Sequence, residues 1–167
     1  DGMKIVHFPP LIGKSLLSME RDHSGNLWIG TAGHGLLRVN GSRIDSITAR
    51  HNSMGSAITL SGNTVMSVLL DAYQNVWAAT RAGVDALELD VLQEMVIGVH
   101  HYTAEDGPIG IGTLHNATML DADSTLWFGT LRGATRYDPH AVEEIRSPPE
   151  IHLTGMQLFF ENVDWGP

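Results

Sequence analysis

Histidine side chains form the group in this sequence that most resembles a reactive or metal-binding cluster. His100, His101 and His115 could place three imidazole nitrogens around a zinc ion. Neighbouring residues on a strand point to opposite faces, however, so His100 and His101 cannot both face one ion. No carboxylate lies at ligand spacing beside them. The sequence therefore predicts no metal site.

Three further patterns suggest chemistry but lack the residues that would complete it. His101 and Tyr102 could act as base and acid in a polysaccharide lyase, yet no paired catalytic group accompanies them. Asp121 and Asp123 alternate as calcium ligands do, without the Gly and distal Glu of a calcium loop. Residues 33–35 read Gly-His-Gly, but no Lys or helix follows, which favours a turn over a phosphate loop. We expect no catalytic residue and no cofactor; a propeller lyase or hydrolase is the alternative.

The composition indicates an acidic globular chain. The 167 residues are 43% hydrophobic and 17% charged, with a formal net charge of −9. No basic run is present, which argues against nucleic acid or an anionic membrane surface as a partner. The lack of Cys excludes disulfides, and no apolar run approaches the roughly 20 residues of a membrane span. Because the chain begins with Asp1-Gly2 rather than Met, we expect it to be a piece of a larger protein.

One stretch recurs three times, and its recurrence predicts the architecture. In every copy an Asp lies six residues before a Trp, and a Thr lies three residues after it. The copies are Asp22, Trp28 and Thr31; Asp71, Trp77 and Thr80; and Asp121, Trp127 and Thr130. The Trp residues are 49 and 50 positions apart, a period typical of propellers and other repeat proteins. We assign these nine residues to structure rather than to chemistry.

Short alternating segments separated by Gly-rich turns surround each Trp. The predicted strands are 15–21, 26–31, 36–40 and 43–49; 63–70, 75–80, 84–89 and 94–101; and 113–120, 125–130 and 134–137. The third repeat has no clear fourth strand, and residues 4–8 form an isolated strand. Four short strands per repeat, with Trp in the second, predict an all-β fold of β-propeller blades, each built from four antiparallel strands.

The repeated residues suit the packing of one blade on the next. A Trp at a fixed position would fill the interface between blades. Small residues at Gly30, Ala79 and Gly129 would let the next backbone approach, and the repeated Thr could hydrogen-bond at a strand end.

The first copy, residues 22–36, resembles the two-component regulator propeller repeat, with the pattern Asp-x-x-Gly-x-Leu-Trp-Ile-Gly-Thr followed by Gly-Leu. The other copies have Gln74 and Ser124 where the first has Gly25. Residues 148–159 resemble the first strand of the three-tyrosine β-sandwich that follows such propellers. The resemblance implies the periplasmic sensor region of a hybrid two-component histidine kinase. Such a region detects an oligosaccharide and signals to a kinase that lies outside this chain.

Five segments follow from the repeat and the resemblance. They are 1–14, a strand and loop from a preceding blade or from ring closure; 15–62, blade 1; 63–112, blade 2; 113–147, blade 3; and 148–167, a linker and sandwich strand. Three blades cannot close a ring of about seven, so we expect an incomplete ring. The strand at 4–8 is expected to pair with a blade edge. The missing blades of the same protein, or a second copy of the chain, are therefore expected partners.

Ligand contacts are expected in the variable loops. The long connectors 9–14, 52–62 and 101–112 should lie together on one side. The Gly turns after the Trp strands should lie on the same side as each other, and polar and aromatic side chains in these loops could hold a sugar. The candidate ligand-binding residues are His34, His51, Asn52, Arg81, Tyr102 and Arg132. The predicted partner is an oligosaccharide or other small periplasmic ligand, with no membrane contact by this segment. A purely structural dimerisation module is a further alternative.

Overall fold

A computed structural model of the chain describes residues 11–55, 57–90, 95–106, 112–141, 157–158 and 161–162. These residues form antiparallel β-strands and a 3-10 turn at Ala104–Asp106. The predicted all-β fold class is therefore confirmed. The strand predicted at 4–8 and most of the predicted sandwich strand lie outside the described residues.

Three antiparallel sheets follow one another along the chain. Sheet I contains β1 (Leu16–Arg21), β2 (Leu27–Thr31), β3 (Leu36–Asn40) and β4 (Arg43–Ile47). Sheet II contains β5 (Val65–Leu70), β6 (Val76–Thr80), β7 (Val84–Asp90) and β8 (Met95–Tyr102). Sheet III contains β9 (Thr113–Leu120), β10 (Leu126–Thr130) and β11 (Gly133–Tyr137). A short pair, β12 (Gln157–Leu158) and β13 (Glu161–Asn162), lies beyond them. Within each sheet the strands pair in sequence order, as they do in propeller blades. The boundaries of the five predicted segments remain predictions.

The hairpin turn before each Trp strand requires a left-handed backbone in all three copies. The turn residue is Gly25 in sheet I, with φ of 88°. Gln74 and Ser124 replace this glycine in sheets II and III, yet their φ values are 69° and 66°. A non-glycine residue in this region costs roughly 1–2 kcal/mol. The turn conformation is thus kept although the sequence pattern for it is lost.

The repeated Asp links its turn to the Trp of its own sheet. Asp22 accepts hydrogen bonds from the Asn26 amide at 2.8 Å and from the Trp28 indole nitrogen at 2.9 Å. Asp71 accepts the equivalent bond from the Trp77 indole at 3.0 Å. In sheets I and II the Asp therefore fixes both the hairpin and the orientation of the ring.

Sheet III departs from this arrangement. Asp121 is exposed and accepts a bond from the Ala122 amide, while Asp123 caps the turn by accepting from the Thr125 hydroxyl at 2.6 Å. The Trp127 indole nitrogen is buried and has no partner within the described part of the chain. The third copy thus keeps the residue types of the repeat but not its Asp–Trp bond.

The sheets stack face to face, with Trp28 and Trp77 at the interfaces with the next sheet. Trp28, 1% exposed, joins a core cluster with Val65, Val68 and Val76 of sheet II. Gly30 allows the close approach, because a Cβ at this position would lie 2.7 Å from the Val65 carbonyl oxygen. Burying a large side chain of this kind contributes about 1.5–3 kcal/mol.

The interface between sheets II and III has a similar construction. Trp77 packs with Ala79 of its own sheet and with Leu126 and Phe128 of sheet III. The Trp77 and Phe128 ring centroids are 5.9 Å apart. The cores of both interfaces are therefore apolar.

Hydroxyl groups link the first strands of successive sheets. The Val68 amide donates to the Ser18 hydroxyl at 3.0 Å, and the Ser67 and Thr118 hydroxyls are 2.6 Å apart. Strand β5 accordingly lies between β1 and β9. This side-by-side placement of first strands is the arrangement expected around a propeller axis.

Candidate functional site

The turns that follow the Trp strands carry three of the predicted ligand-binding residues. His34, Arg81 and Arg132 lie in the β2–β3, β6–β7 and β10–β11 turns, and all three are exposed. The repeated Thr holds each turn: Thr31 donates its hydroxyl to the Gly35 carbonyl at 2.7 Å, and Thr80 donates to Gly83 at 3.0 Å. The three basic side chains thus occupy equivalent places on successive sheets, rather than one shared pocket.

The connector after sheet I contains the next two predicted residues. His51 is exposed, and its carbonyl accepts a bond from the Thr48 amide at 2.7 Å. Asn52 is buried; its side-chain amide donates to Ile58 at 3.1 Å, and its oxygen accepts from the Met54 amide at 2.9 Å. The Asn52 side chain therefore organises the connector, and a ligand contact by this residue stays a prediction.

A buried carboxylate joins this connector to sheet II. Asp85 is fully buried and lies 2.7 Å from Nδ1 of His101. Its other oxygen accepts bonds from the Ser61 amide at 2.8 Å and the Ser61 hydroxyl at 3.0 Å. Asp85 stands between the other two groups, so Ser61 and His101 do not form the nucleophile–base pair of a hydrolase. The network is a structural clamp.

His101 and Tyr102 lie on opposite faces of β8. His101 faces Asp85, whereas Tyr102 stacks on Trp77 with ring centroids 5.5 Å apart. These two side chains therefore cannot act together on one substrate atom, as the lyase alternative would require.

The calcium and zinc patterns are not assembled in the described part of the chain. No group of three or more His, Cys, Asp or Glu residues that could hold a metal ion occurs among the described residues. The Asp123 carboxyl accepts hydrogen bonds within its own turn, first from the Thr125 hydroxyl and then from the Thr125 amide. These bonds lower the pKa of the Asp123 carboxyl, and the charge of Arg136 lowers it further. The loop is a capped hairpin.

An aromatic groove opens between sheets II and III, with a volume of about 410 Å³. Three aromatic rings form one side of the groove. The centroid of the Trp77 ring lies 4.8 Å from that of Tyr137 and 5.5 Å from that of Tyr102, and the Tyr102 and Tyr137 centroids are 5.6 Å apart. The His100 ring adds to this group at 4.3 Å from Tyr102. The volume falls within the range of small-molecule sites.

Small residues on sheet II leave the space open. Trp28 is paired across the strands with Arg38, whose guanidinium carbon lies 5.8 Å above the ring. The residue paired with Trp77 is Ala86, which is too short to cover the ring. Gly98 on β8 has no side chain of its own, and the Glu88 carboxylate lies over it, with Oε2 at 2.9 Å from the place of a Cβ. The groove thus follows from the short residues Ala86 and Gly98, with Glu88 at its edge.

Polar groups surround the aromatic surface. The Tyr102 hydroxyl donates to the Tyr137 hydroxyl at 3.3 Å, which links sheet II to sheet III. The lining residues are Asp71, Tyr73, Asn75, Trp77, Ala86, Leu87, Glu88, Gly98, Val99, His100, Tyr102, Tyr137 and Pro139. Tyr73 and Glu88 are exposed, whereas Asp71 is buried and accepts hydrogen bonds from its own turn. Partly exposed rings beside hydroxyl, amide and carboxylate groups can bind a molecule with both apolar and hydroxylated faces.

Tyr102 is the one predicted ligand-binding residue that lines this groove. The repeat pattern assigns Trp77 to structure, and Tyr137 and His100 are not among the predicted ligand contacts. The alternation of β8 could have placed His100 beside Tyr102, because residues two apart share a face of a strand. The position of Tyr137 depends on how sheet III packs on sheet II, which no local pattern gives.

Residues 10–33 match the family model described as two component regulator propeller. This segment of the chain is therefore similar to the two component regulator propeller repeat. The matched residues include Asp22, Gly25, Trp28 and Thr31. The resemblance recognised in the sequence is thereby confirmed.

A curated relative places the repeat in a much larger protein. The protein named Histidine kinase P4 from Formosa agariphila is 25% identical over 136 residues, covering 81% of this chain and 9% of its own length. The chain thus spans less than a tenth of that relative.

Solved structures show the same propeller fold. An extracellular domain described as that of a hybrid two component system from B. thetaiotaomicron aligns with a TM-score of 0.51 at 20% identity, covering 74% of this chain and 15% of that one. PorZ, described as a surface component of the type-IX secretion system of Porphyromonas gingivalis, aligns with a TM-score of 0.53 at 20% identity, covering 75% and 18%. The three sheets are therefore propeller blades. No helix in the described residues is long and apolar enough to cross a membrane.

Proposed function

We propose that this chain is part of an extracytoplasmic ligand-sensing propeller, that its ligand is an oligosaccharide, and that it works in the periplasm. The observation that supports this most directly is the aromatic groove between sheets II and III. The match to a two component regulator repeat supports the sensing role. In this proposal the kinase that receives the signal lies outside the chain.

Sugar rings suit the chemistry of the groove. Their C–H faces would pack on Tyr102 and Tyr137, which are only partly buried, over the buried Trp77 ring. Their hydroxyl groups would bond to the Asn75 amide and to the imidazole of His100, both of which line the same space. Stacking supplies affinity and the polar groups supply orientation.

The groove is also suited to transmit binding. Tyr102 belongs to sheet II and Tyr137 to sheet III, and their hydroxyls are 3.3 Å apart. A ligand that replaces this bond would make contacts with both sheets at once. Binding would then favour one relative placement of the two sheets, since a ligand shifts an equilibrium by its differential affinity for the two states.

Replacing Tyr102 with alanine tests this site. We expect the Tyr102→Ala chain to bind neutral hexasaccharides at least about tenfold more weakly than the unmodified chain, since a stacked ring contributes about 0.5–1.5 kcal/mol beyond its buried area. Isothermal titration calorimetry with cellohexaose, β-1,4-mannohexaose and xylohexaose would measure the change. The control is His34→Ala, an exposed turn residue outside the groove, which should bind as the unmodified chain does.

Two results would count against the proposal. One is equal binding by Tyr102→Ala and the unmodified chain; the other is the absence of binding to any oligosaccharide in a wide panel. Cleavage of the sugars during the titration would favour the enzyme alternative.

A further inference from the structure

The charges around the aromatic groove are of one sign. Glu88 and Asp71 line the groove, and among these described lining residues there is no Lys or Arg. His100 is the remaining group that could become positively charged. The nearby Arg136 is directed to two other carboxylates, at 3.4 Å from both Asp123 and Asp138.

The two carboxylates of the groove differ in availability. Asp71 is buried and already accepts bonds from the Tyr73 amide, the Asn75 amide and the Trp77 indole. Glu88 is exposed, and its carboxylate lies above Gly98, with Oε2 at 2.9 Å from the place where a Cβ of that glycine would be. Glu88 is therefore the charge that a ligand in the groove would meet.

We infer that the groove selects neutral oligosaccharides and rejects those that carry carboxylate groups. This inference rests on the proposed oligosaccharide-binding function of the groove. A uronate carboxylate placed near Glu88 would be repelled, and no Lys or Arg among the lining residues would offset the repulsion. A neutral sugar would instead donate hydroxyl hydrogen bonds to Glu88, and hydrogen bonds to a charged acceptor are stronger than those between neutral groups. The groove thus combines aromatic rings that stack on sugars with a carboxylate, Glu88, that repels anions.

Matched pairs of sugars isolate the effect of charge. Cellohexaose is compared with the β-1,4-glucuronate hexamer, and β-1,4-mannohexaose with the β-1,4-mannuronate hexamer, because each pair shares one backbone. At low ionic strength we expect the neutral member to bind at least about tenfold more tightly, which corresponds to about 1.4 kcal/mol. Added salt should narrow the difference, because it screens exposed charges.

The variant Glu88→Gln assigns the selectivity to one side chain. It keeps the length and hydrogen-bonding groups of the side chain and removes its charge, so the neutral-to-uronate ratio should fall below about threefold. Glu105→Gln is the control, because Glu105 is exposed and does not line the groove. Circular dichroism of both variants should match that of the unmodified chain.

The outcomes separate this inference from the proposed function. Uronate hexamers that bind as well as their neutral partners would overturn the selectivity and leave oligosaccharide binding standing. A ratio that is unchanged in Glu88→Gln would overturn the role of Glu88. If no neutral or acidic hexamer binds, the proposed function fails, and the selectivity fails with it.

Discussion

Replacing Asp85 with alanine is expected to lower the free energy of unfolding by about 2–3 kcal/mol, because it removes a fully buried hydrogen-bond acceptor and leaves the Ser61 amide that donates to it unpaired. Asp85 is fully buried and bonds to His101 at 2.7 Å and to the Ser61 amide at 2.8 Å. Alanine would leave the Ser61 amide without its acceptor and would remove two of the bonds between the connector and sheet II, while the contact between the Ser61 and Thr80 hydroxyls would remain. Urea unfolding followed by tryptophan fluorescence would measure the loss.

Two companion variants test the cause of this loss. Asp85→Asn keeps the shape of the side chain and one acceptor oxygen, so its effect should be smaller than that of alanine. Glu105→Ala removes an exposed carboxylate and should unfold within about 0.5 kcal/mol of the unmodified chain. An Asp85→Ala chain as stable as the Glu105→Ala chain would show that the clamp does not support the fold.

Replacing Gly83 with alanine should also destabilise the chain strongly, by about 2–3 kcal/mol, through overpacking. A Cβ at Gly83 would lie 2.2 Å from the carbonyl oxygen of Tyr102, which is backbone and cannot rotate away. The pairing of Val84 with Tyr102 at the ends of β7 and β8 would have to open. Because Tyr102 lines the groove, ligand binding should weaken in the fraction that still folds.

Gly98→Ala is the matched control, since Gly98 lies on β8, the strand that Gly83 approaches at Tyr102. Its Cβ would lie 2.9 Å from the flexible end of the Glu88 side chain, which can move. We expect this variant to unfold within about 1 kcal/mol of the unmodified chain. Thermal or urea midpoints that are equal for Gly83→Ala and Gly98→Ala would show that the contact between Gly83 and Tyr102 is not tight.

The fold could be predicted from the sequence because its period is visible in single residues. Trp28, Trp77 and Trp127 each fall in the second strand of a sheet, and the strand ends agree with the predicted ones within one or two residues. Gln74 shows the limit of this method. The pattern for a left-handed turn is lost there, yet the surrounding hairpin still imposes a φ of 69°.

The groove could not be predicted in the same way, because it depends on contacts between repeats. Tyr102 and Tyr137 are 35 residues apart and meet only when sheet III packs on sheet II. The contacts of Asp85 could not be predicted for the same reason, because its partners Ser61 and His101 come from different repeats of the sequence pattern. The alternation of residues along a strand predicts which face each side chain lies on. Which residues of another sheet that face contacts can be known only from the folded structure.

The propeller fold does not by itself identify the function of the chain. The chain aligns at similar TM-scores with an extracellular domain described as that of a hybrid two component system and with PorZ, described as a secretion-system component. One fold can therefore serve different roles, and a role has to be argued from the chemistry of particular residues. Here that chemistry is the aromatic wall of Trp77, Tyr102 and Tyr137 with Glu88 at its rim.

The most direct test of this site is an NMR titration of the ¹⁵N-labelled chain with a neutral hexasaccharide that binds in the calorimetric panel. We expect the shifts to concentrate on the Trp77 indole, the Gly98 amide and the amides of His100 and Tyr102, with the Trp28 indole unchanged as an internal control. Shifts confined to the turns of His34, Arg81 and Arg132, with the Trp77 indole unmoved, would contradict binding in the groove.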